Sequence, residues 1–371
     1  MENRADLNER HISQDPALQL LTNMGYKYIS REDCVLQRGS QYQVLLKDIL
    51  RGQLRKLNRY RYAGVENEFS AANIERAITE LDVPLTKGLV QASEEVYDAL
   101  MLGKSYPETV GEGRLQSFDL KYIDWEHPEN NVFHVTEEFQ VESADKLHKP
   151  RRPDIVLFIN GIPFAIIECK ASAVSCEQGI EETIRNQKPE YIPQLYKFAQ
   201  IIIATNKNDG RYATTGTPKK FWELWREEDT KFLTAALQKY VAGRLATEQD
   251  KLLCSLLSPE RIWNLLKYFI LYDANIKMIC RYQQYFAVQN IVATIQTFTE
   301  KGTRMGGTIW HTQGSGKSLT MVMLAKYLLT EMAATHPRVI IVTDRKELDK
   351  QIAKTFAHTR LKPARATSGR N

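Results

Sequence analysis

No apolar run in this chain approaches the ~18 residues that a membrane-crossing helix needs, so no membrane span is expected. Its five cysteines (Cys34, Cys169, Cys176, Cys254, Cys280) include no CxxC pair. That odd, scattered set argues against a disulfide framework or a zinc site and predicts reduced thiols in the cytoplasm. The first residues, MENRADLNERHISQD, are polar and mixed in charge, unlike a secretory signal. There is no internal repeat and no low-complexity tract. Net charge is small as well. Fifty Lys and Arg against 45 Asp and Glu leave a net +5, which permits nucleic-acid binding without establishing it.

What is present suits a globular protein of two or three domains: 371 residues, 43% hydrophobic and 26% charged. One stretch, residues 47–61, concentrates six basic side chains around Tyr60. Its charge pattern fits a phosphate-facing surface and a solvated helix face about equally well. Residues 1–110 read as mostly helical with short extended pieces; Ile74, Ile78 and Leu81, for instance, recur on one helical face. Residues 131–141 read as a strand pair or a long strand. Residues 151–172 (RRPDIVLFINGIPFAIIECKAS) read as two apolar strands joined at Asn160-Gly161, a strong hairpin signal. A charged helix follows from 176 to 186, then a buried strand at 201–205. Residues 221–226 and 251–272 read as helical, with a candidate boundary at 242–250. The last segment has a βαβ rhythm: strand 308–311, glycine-rich turn, helix 318–332, strand 339–343.

The turn in that unit reads His311-Thr312-Gln313-Gly314-Ser315-Gly316-Lys317-Ser318. Gly314 and Gly316 would let the backbone N–H groups around Ser315 converge on phosphate oxygens at a helix N-terminus. Lys317 would reach the outer phosphates of ATP and Ser318 would ligate Mg²⁺. His311 stands where the usual pattern has a glycine, yet the GSGKS core is intact. Upstream, Gln283-Gln284 resembles the glutamine motif with which superfamily-2 helicases read adenine, Gln284 being the candidate. Downstream, Val342-Thr343-Asp344-Arg345 resembles a segment that touches DNA backbone in such motors. No DE-x-[DH] follows Ser318, so the chain is expected to bind ATP without hydrolysing it productively. Asp124-Trp125-Glu126-His127 imitates that motif but lies far upstream and is read as coincidence.

Asp154 is followed after thirteen residues by Glu168-Cys169-Lys170, the PD-(D/E)xK arrangement. Two carboxylates can hold Mg²⁺ against a scissile phosphate, and the lysine can stabilise developing charge or orient the attacking water. Strand alternation puts Glu168 and Lys170 on one face and Cys169 on the other. A two-residue turn at 160–161 would set Asp154 opposite Ile167, the wrong face. A loop one residue longer, or a bulge of the same effect near Pro163, is therefore predicted. For a helical Gln-x3-Tyr element beyond the lysine, Gln187 and Tyr191 have the spacing but Pro189 intervenes; Glu182 and Asn186 lie one turn earlier, and both pairs stay open.

The Asp154, Glu168-Cys-Lys170 and GSGKS blocks are the specific ones. With Leu85-Thr-Lys-Gly-Leu, Asn130-Asn131-Val-Phe, Ile192-Pro-Gln-Leu and the 342–345 segment they resemble, along the whole chain, the restriction (R) subunit of type I restriction–modification enzymes. The resemblance implies an α/β protein. A PD-(D/E)xK mixed-sheet nuclease domain would occupy 1–240, a helical connector 241–275, and an incomplete RecA-like ATP-binding domain 276–371. It further implies Asp154 and Glu168 as metal ligands and Lys170 as the catalytic lysine. Mg²⁺ and ATP would be cofactors; double-stranded DNA and the modification (M) and specificity (S) subunits would be partners. Family members run two to three times longer, so the chain reads as truncated within its motor. The alternative is a non-catalytic DNA-binding and assembly fragment of the same subunit.

Overall fold

A computed structural model describes residues 10–145, 147–241, 243–332, 336–359, 361 and 364. The first nine residues, residue 242 of the expected boundary and residues 365–371 lie outside them. The chain divides into two compact units, 1–225 with 229–263, and 226–228 with 264–371. No described helix is long and apolar enough to cross a membrane. All five cysteines are free and buried.

The first unit is built on a six-stranded mixed sheet: β1 (Lys27–Tyr28), β2 (Phe133–Glu137), β3 (Ile155–Ile159), β4 (Ile162–Cys169), β5 (Ile201–Thr205) and β6 (Gly210–Ala213), side by side in that order. The β1–β2 and β4–β5 pairs are parallel and the others antiparallel. Every residue of β3, β4 and β5 is buried, which is why they read as continuous apolar runs and not as alternating ones. Helix α1 (Asp15–Asn23) packs on β2, helix α2 (Cys176–Asn186) on β4 and β5, and helix α3 (Glu248–Leu257) on α1 and β6.

The β3–β4 hairpin turns on Asn160 (φ 54°) and Gly161 (φ 82°), both left-handed as a two-residue type I′ turn requires. The turn is buried. Asn160 Oδ1 accepts the Val132 N–H at 2.9 Å, and its Nδ2 donates to Tyr122 O at 3.0 Å and Asn131 Oδ1 at 2.7 Å. A Cβ on Gly161 would lie 2.6 Å from Leu46 O. Asn160→Ala would remove three hydrogen bonds, taking their side-chain partner from the Val132 N–H and Tyr122 O while Asn131 Oδ1 keeps the Asp124 N–H, and would put a β-carbon in a left-handed conformation without compensation. We expect a loss of about 3–5 kcal/mol of stability in denaturant unfolding.

Register shifts between Leu157 and Phe158. Ile155 faces Ile167 and Leu157 faces Ala165, but Phe158 faces Pro163, so Phe164 is the extra, bulged residue. Of the two routes to correct register, the hairpin takes the bulge and keeps the short turn. Pro163, which has no N–H to give a ladder, suits that irregularity.

Several expected elements differ. β2 ends at Glu137 because Glu138 takes φ 46°, so 131–141 is no long strand. Residues 222–226 are not helical; Glu223 bridges back to Tyr212. The 251–272 helix is two, Glu248–Leu257 and Pro259–Tyr268, broken where Pro259 begins a new first turn. The connector is not wholly helical, since β7 (Ile270–Asp273) pairs with β8 (Ile276–Ile279). Asp124 is structural. It accepts from His127 N–H and Asn130 Nδ2 and pairs with Lys121 at 3.0 Å.

The second unit holds the β7–β8 hairpin, α4 (Tyr282–Gln296), α5 (Lys317–Glu331) and α6 (Lys346–His358). The βαβ helix forms, but 308–311 and 339–343 carry no strand among the described residues, and Ile309, Trp310, Ile340 and Val342 are exposed. Parallel strands persist where both sheet faces are covered, and here neither segment finds a ladder partner.

Candidate active site

The bulge decides what meets at the end of the hairpin. Continued one step past Ile155 and Ile167, its register sets Asp154 beside Glu168, and the Asp154 Oδ2 accepts the Cys169 N–H at 2.7 Å. Glu138 N–H donates to the Asp154 carbonyl at 2.6 Å, fixing the backbone just before β3. Alternation along β4 sends Cys169 to the other face, where its Sγ lies 3.9 Å from Gln249 Nε2 of α3. Glu168 and Lys170 share the α2 face, with Lys170 Nζ 3.0 Å from Glu168 Oε1.

Helix α2 is capped by Ser175, whose Oγ accepts the Glu177 N–H, and lies close on the sheet through Gly179. A β-carbon there would sit 3.3 Å from both Glu168 Cγ and Ala204 Cβ. That approach carries Glu182 to within 2.9 Å of Lys170 Nζ, so the ammonium lies between two carboxylates. Asn186, one turn on, is buried with Oδ1 unpartnered. Between the two open pairs for this element, the structure brings Glu182 and Asn186 to the site. Gln187 instead accepts the Gly216 N–H at 2.7 Å, beyond the helix end, and Tyr191 packs under Arg151.

The electrostatics are those of crowded buried acids. Burial, then the Asp154 charge, raises the Glu168 carboxyl well above its usual range, and Lys170 opposes this only in part. Burial works to lower Lys170, but Glu168, Asp154 and Glu182 outweigh it and the net shift is upward. Glu182 is shifted down: its burial pushes the other way, but contact with Glu168 and Lys170 prevails. Three carboxylates thus share one ammonium, and Glu168 Oε2 is buried without a hydrogen-bond partner. One ammonium against three carboxylates leaves negative charge in excess, and the chemistry of this donor set suits a further cation; no group of three or more His, Cys, Asp or Glu placed to hold a metal ion exists among the described residues.

Sequence reading missed the wall opposite these acids. A pocket of about 450 Å³ is lined by Glu168 and Glu182 together with Lys149, Arg151, Arg152 and Arg185. The only signal was the basic run just before Pro153. The 47–61 stretch is less exposed to ligands than its charge suggested, since Arg51 pairs with Glu75 and Asp48, and Arg59 with Glu68.

In the second unit, Gly314 and Gly316 are both left-handed (φ 80° and 82°), and Ser315 Oγ donates to Thr312 O at 2.8 Å. Lys317 opens α5 with Gly316 as its cap, and Ser318 follows in the first turn. Gln284 is buried. Its Oε1 accepts the Arg281 N–H at 2.9 Å and its Nε2 donates to Gly316 O at 3.2 Å, so it ties α4 to the loop.

These features define an α/β protein with an acid–lysine cluster at a hairpin end and a separate unit carrying a glycine-rich helix-start loop. The family model described as Type I restriction enzyme R protein N terminus matches residues 6–221, more than half of the chain, and the chain belongs to that family. A SWI2/SNF2 ATPase model matches residues 283–371. Relatives include the "Putative type I restriction enzyme MjaIXP endonuclease subunit" of Methanocaldococcus jannaschii, 30% identical over 98% of this chain and 35% of the relative. The type I restriction enzyme HindI endonuclease subunit of Haemophilus influenzae is 29% identical over 95% of this chain and 33% of the relative. The chain spans about a third of the length of these relatives.

Proposed function

We propose that the first unit is the PD-(D/E)xK nuclease of a type I restriction enzyme R subunit, hydrolysing phosphodiesters of double-stranded DNA with Mg²⁺. The observation that carries this is the bulged register that sets Asp154 beside Glu168 and next to Lys170. Asp154 and Glu168 would hold the ion. An ion held there would supply Lewis-acid polarisation of the scissile phosphate and a more acidic water. Lys170, kept protonated by its carboxylate neighbours, would face the phosphate oxygen on which charge develops. Glu182 would hold Lys170 in place, and the Cys169 N–H orients Asp154. The domain division at 1–240, 241–275 and 276–371 follows the same reading, with the second unit as the start of a RecA-like motor. Gly314, Ser315, Gly316, Lys317 and Ser318 would cradle ATP, and Gln284 has a spare N–H and a spare lone pair for adenine. M and S subunits would be the partners.

The test is nicking and linearisation of supercoiled plasmid by the purified chain in Mg²⁺, with Asp154→Asn as control. Cleavage by wild type alone supports the nuclease; equal cleavage by both, or by neither, contradicts it. Lys317→Ala is expected to abolish ATP binding by this chain, measured as loss of labelled-nucleotide binding at equilibrium.

A further inference from the structure

The pocket beside the acid cluster is lined by four cations against two carboxylates, and the carboxylates are already engaged. Glu168 and Glu182 are on Lys170, and Glu138, next to Asp154, is on Arg152 at 3.1 Å. No described carboxylate lies within 4 Å of the Arg151 or Arg185 guanidinium, although the Arg185 charge helps to hold Glu182 down. Both have a buried Nε that donates to no acceptor among the described residues. Buried donors are paired in native proteins, and a guanidinium so placed calls for an acceptor. Arg185 lies in the last turn of α2, where any cation complements the helix dipole. That accounts for its charge but not for its buried, unpartnered Nε.

Arg151 is held in place as well. Its guanidinium carbon lies 4.5 Å above the Tyr191 ring, and that ring packs against His148. Stacking fixes the plane of an arginine while leaving its N–H edge available, which suits two-pronged recognition of a phosphate.

We propose that this pocket seats a second backbone phosphate of the DNA strand being cut, gripped by Arg151 and Arg185, with Tyr191 as the positioning residue for Arg151. The inference rests on the nuclease reading only for which strand is meant. The grip fixes the strand at a second point, so that the scissile phosphate lies against Lys170 in one register.

Binding of a labelled short duplex to the full chain, measured by fluorescence anisotropy in EDTA between about 50 and 200 mM salt, tests it. Arg151→Gln/Arg185→Gln should weaken binding about a hundredfold at low salt and reduce the slope of log affinity against log salt by about two. Arg151→Lys/Arg185→Lys should restore the slope but only part of the affinity. Tyr191→Leu should weaken binding with the slope unchanged, which distinguishes positioning from charge. Lys87→Gln, an exposed cation paired with Glu95, should match wild type. The proposal is overturned by wild-type slope and affinity in a double Gln variant that melts like wild type. Should that variant not fold, the Lys pair and Tyr191→Leu behaving identically to wild type overturns it, as does a wild-type chain that binds no duplex. Inorganic phosphate at matched ionic strength should displace no more DNA than chloride does; displacement lost in the double variant would assign the pocket to free phosphate and overturn the DNA assignment. Asp154→Asn cleaving as wild type would remove the nuclease reading while leaving the salt slope to decide the pocket.

Discussion

Lys170→Met is expected to lower Mg²⁺-dependent cleavage by on the order of 10³-fold while also destabilising the metal-free protein. The two effects share one cause. Lys170 Nζ sits 3.0 Å from Glu168 and 2.9 Å from Glu182, and Asp154 adds a third negative charge nearby. Removing the ammonium withdraws the group that would meet charge on the phosphate and leaves buried carboxylates uncompensated. Breaking such a set by deleting one partner costs about 3 kcal/mol. Measured by denaturant unfolding in EDTA, the loss should be greatest near neutral pH. It should shrink in acid, where Glu168 takes up a proton and the repulsion falls.

The second large effect separates activity from stability. Glu168→Gln should abolish cleavage to a similar degree, yet raise the stability of the metal-free chain at neutral pH by about 1 kcal/mol. The sign follows from the raised carboxyl. Burial and the Asp154 charge make the folded protein hold the Glu168 proton more tightly than the unfolded chain does. Stability contributed by this group is therefore present below the ordinary glutamate range and lost as pH rises toward its folded value. The glutamine variant has no such titration, so its stability should fall less with pH across that window. A variant that loses both activity and stability would mean Glu168 is an ordinary packed residue.

Much of this site was legible in the chain, for identifiable reasons. Asn160-Gly161 specifies a two-residue turn through backbone conformation alone, and the all-apolar β3 and β4 could only be buried. Parity arguments then required one irregularity to bring Asp154 to the face of Glu168, and Phe164 supplies it. Glu182 could be narrowed to one of two helical pairs, but the choice depended on where α2 stops, and Asn186 ends it before Gln187 can turn inward. Arg151 and Arg185 were not foreseen because their meeting depends on the loop before β3 lying across the end of α2, a long-range contact with no local signature. Neighbours also explain the opposite failure at 308–311 and 339–343. Their composition is that of strands, but a strand exists only when something pairs with it.

Titrating Mn²⁺ into the purified chain, followed by electron paramagnetic resonance in the presence of a short duplex, probes the acid pair most directly. The expected result is saturable binding by wild type that is lost in both Asp154→Asn and Glu168→Gln while duplex affinity is kept. Unchanged Mn²⁺ binding in both variants would mean that the two carboxylates do not share a cation, and the nuclease site as described here would not exist.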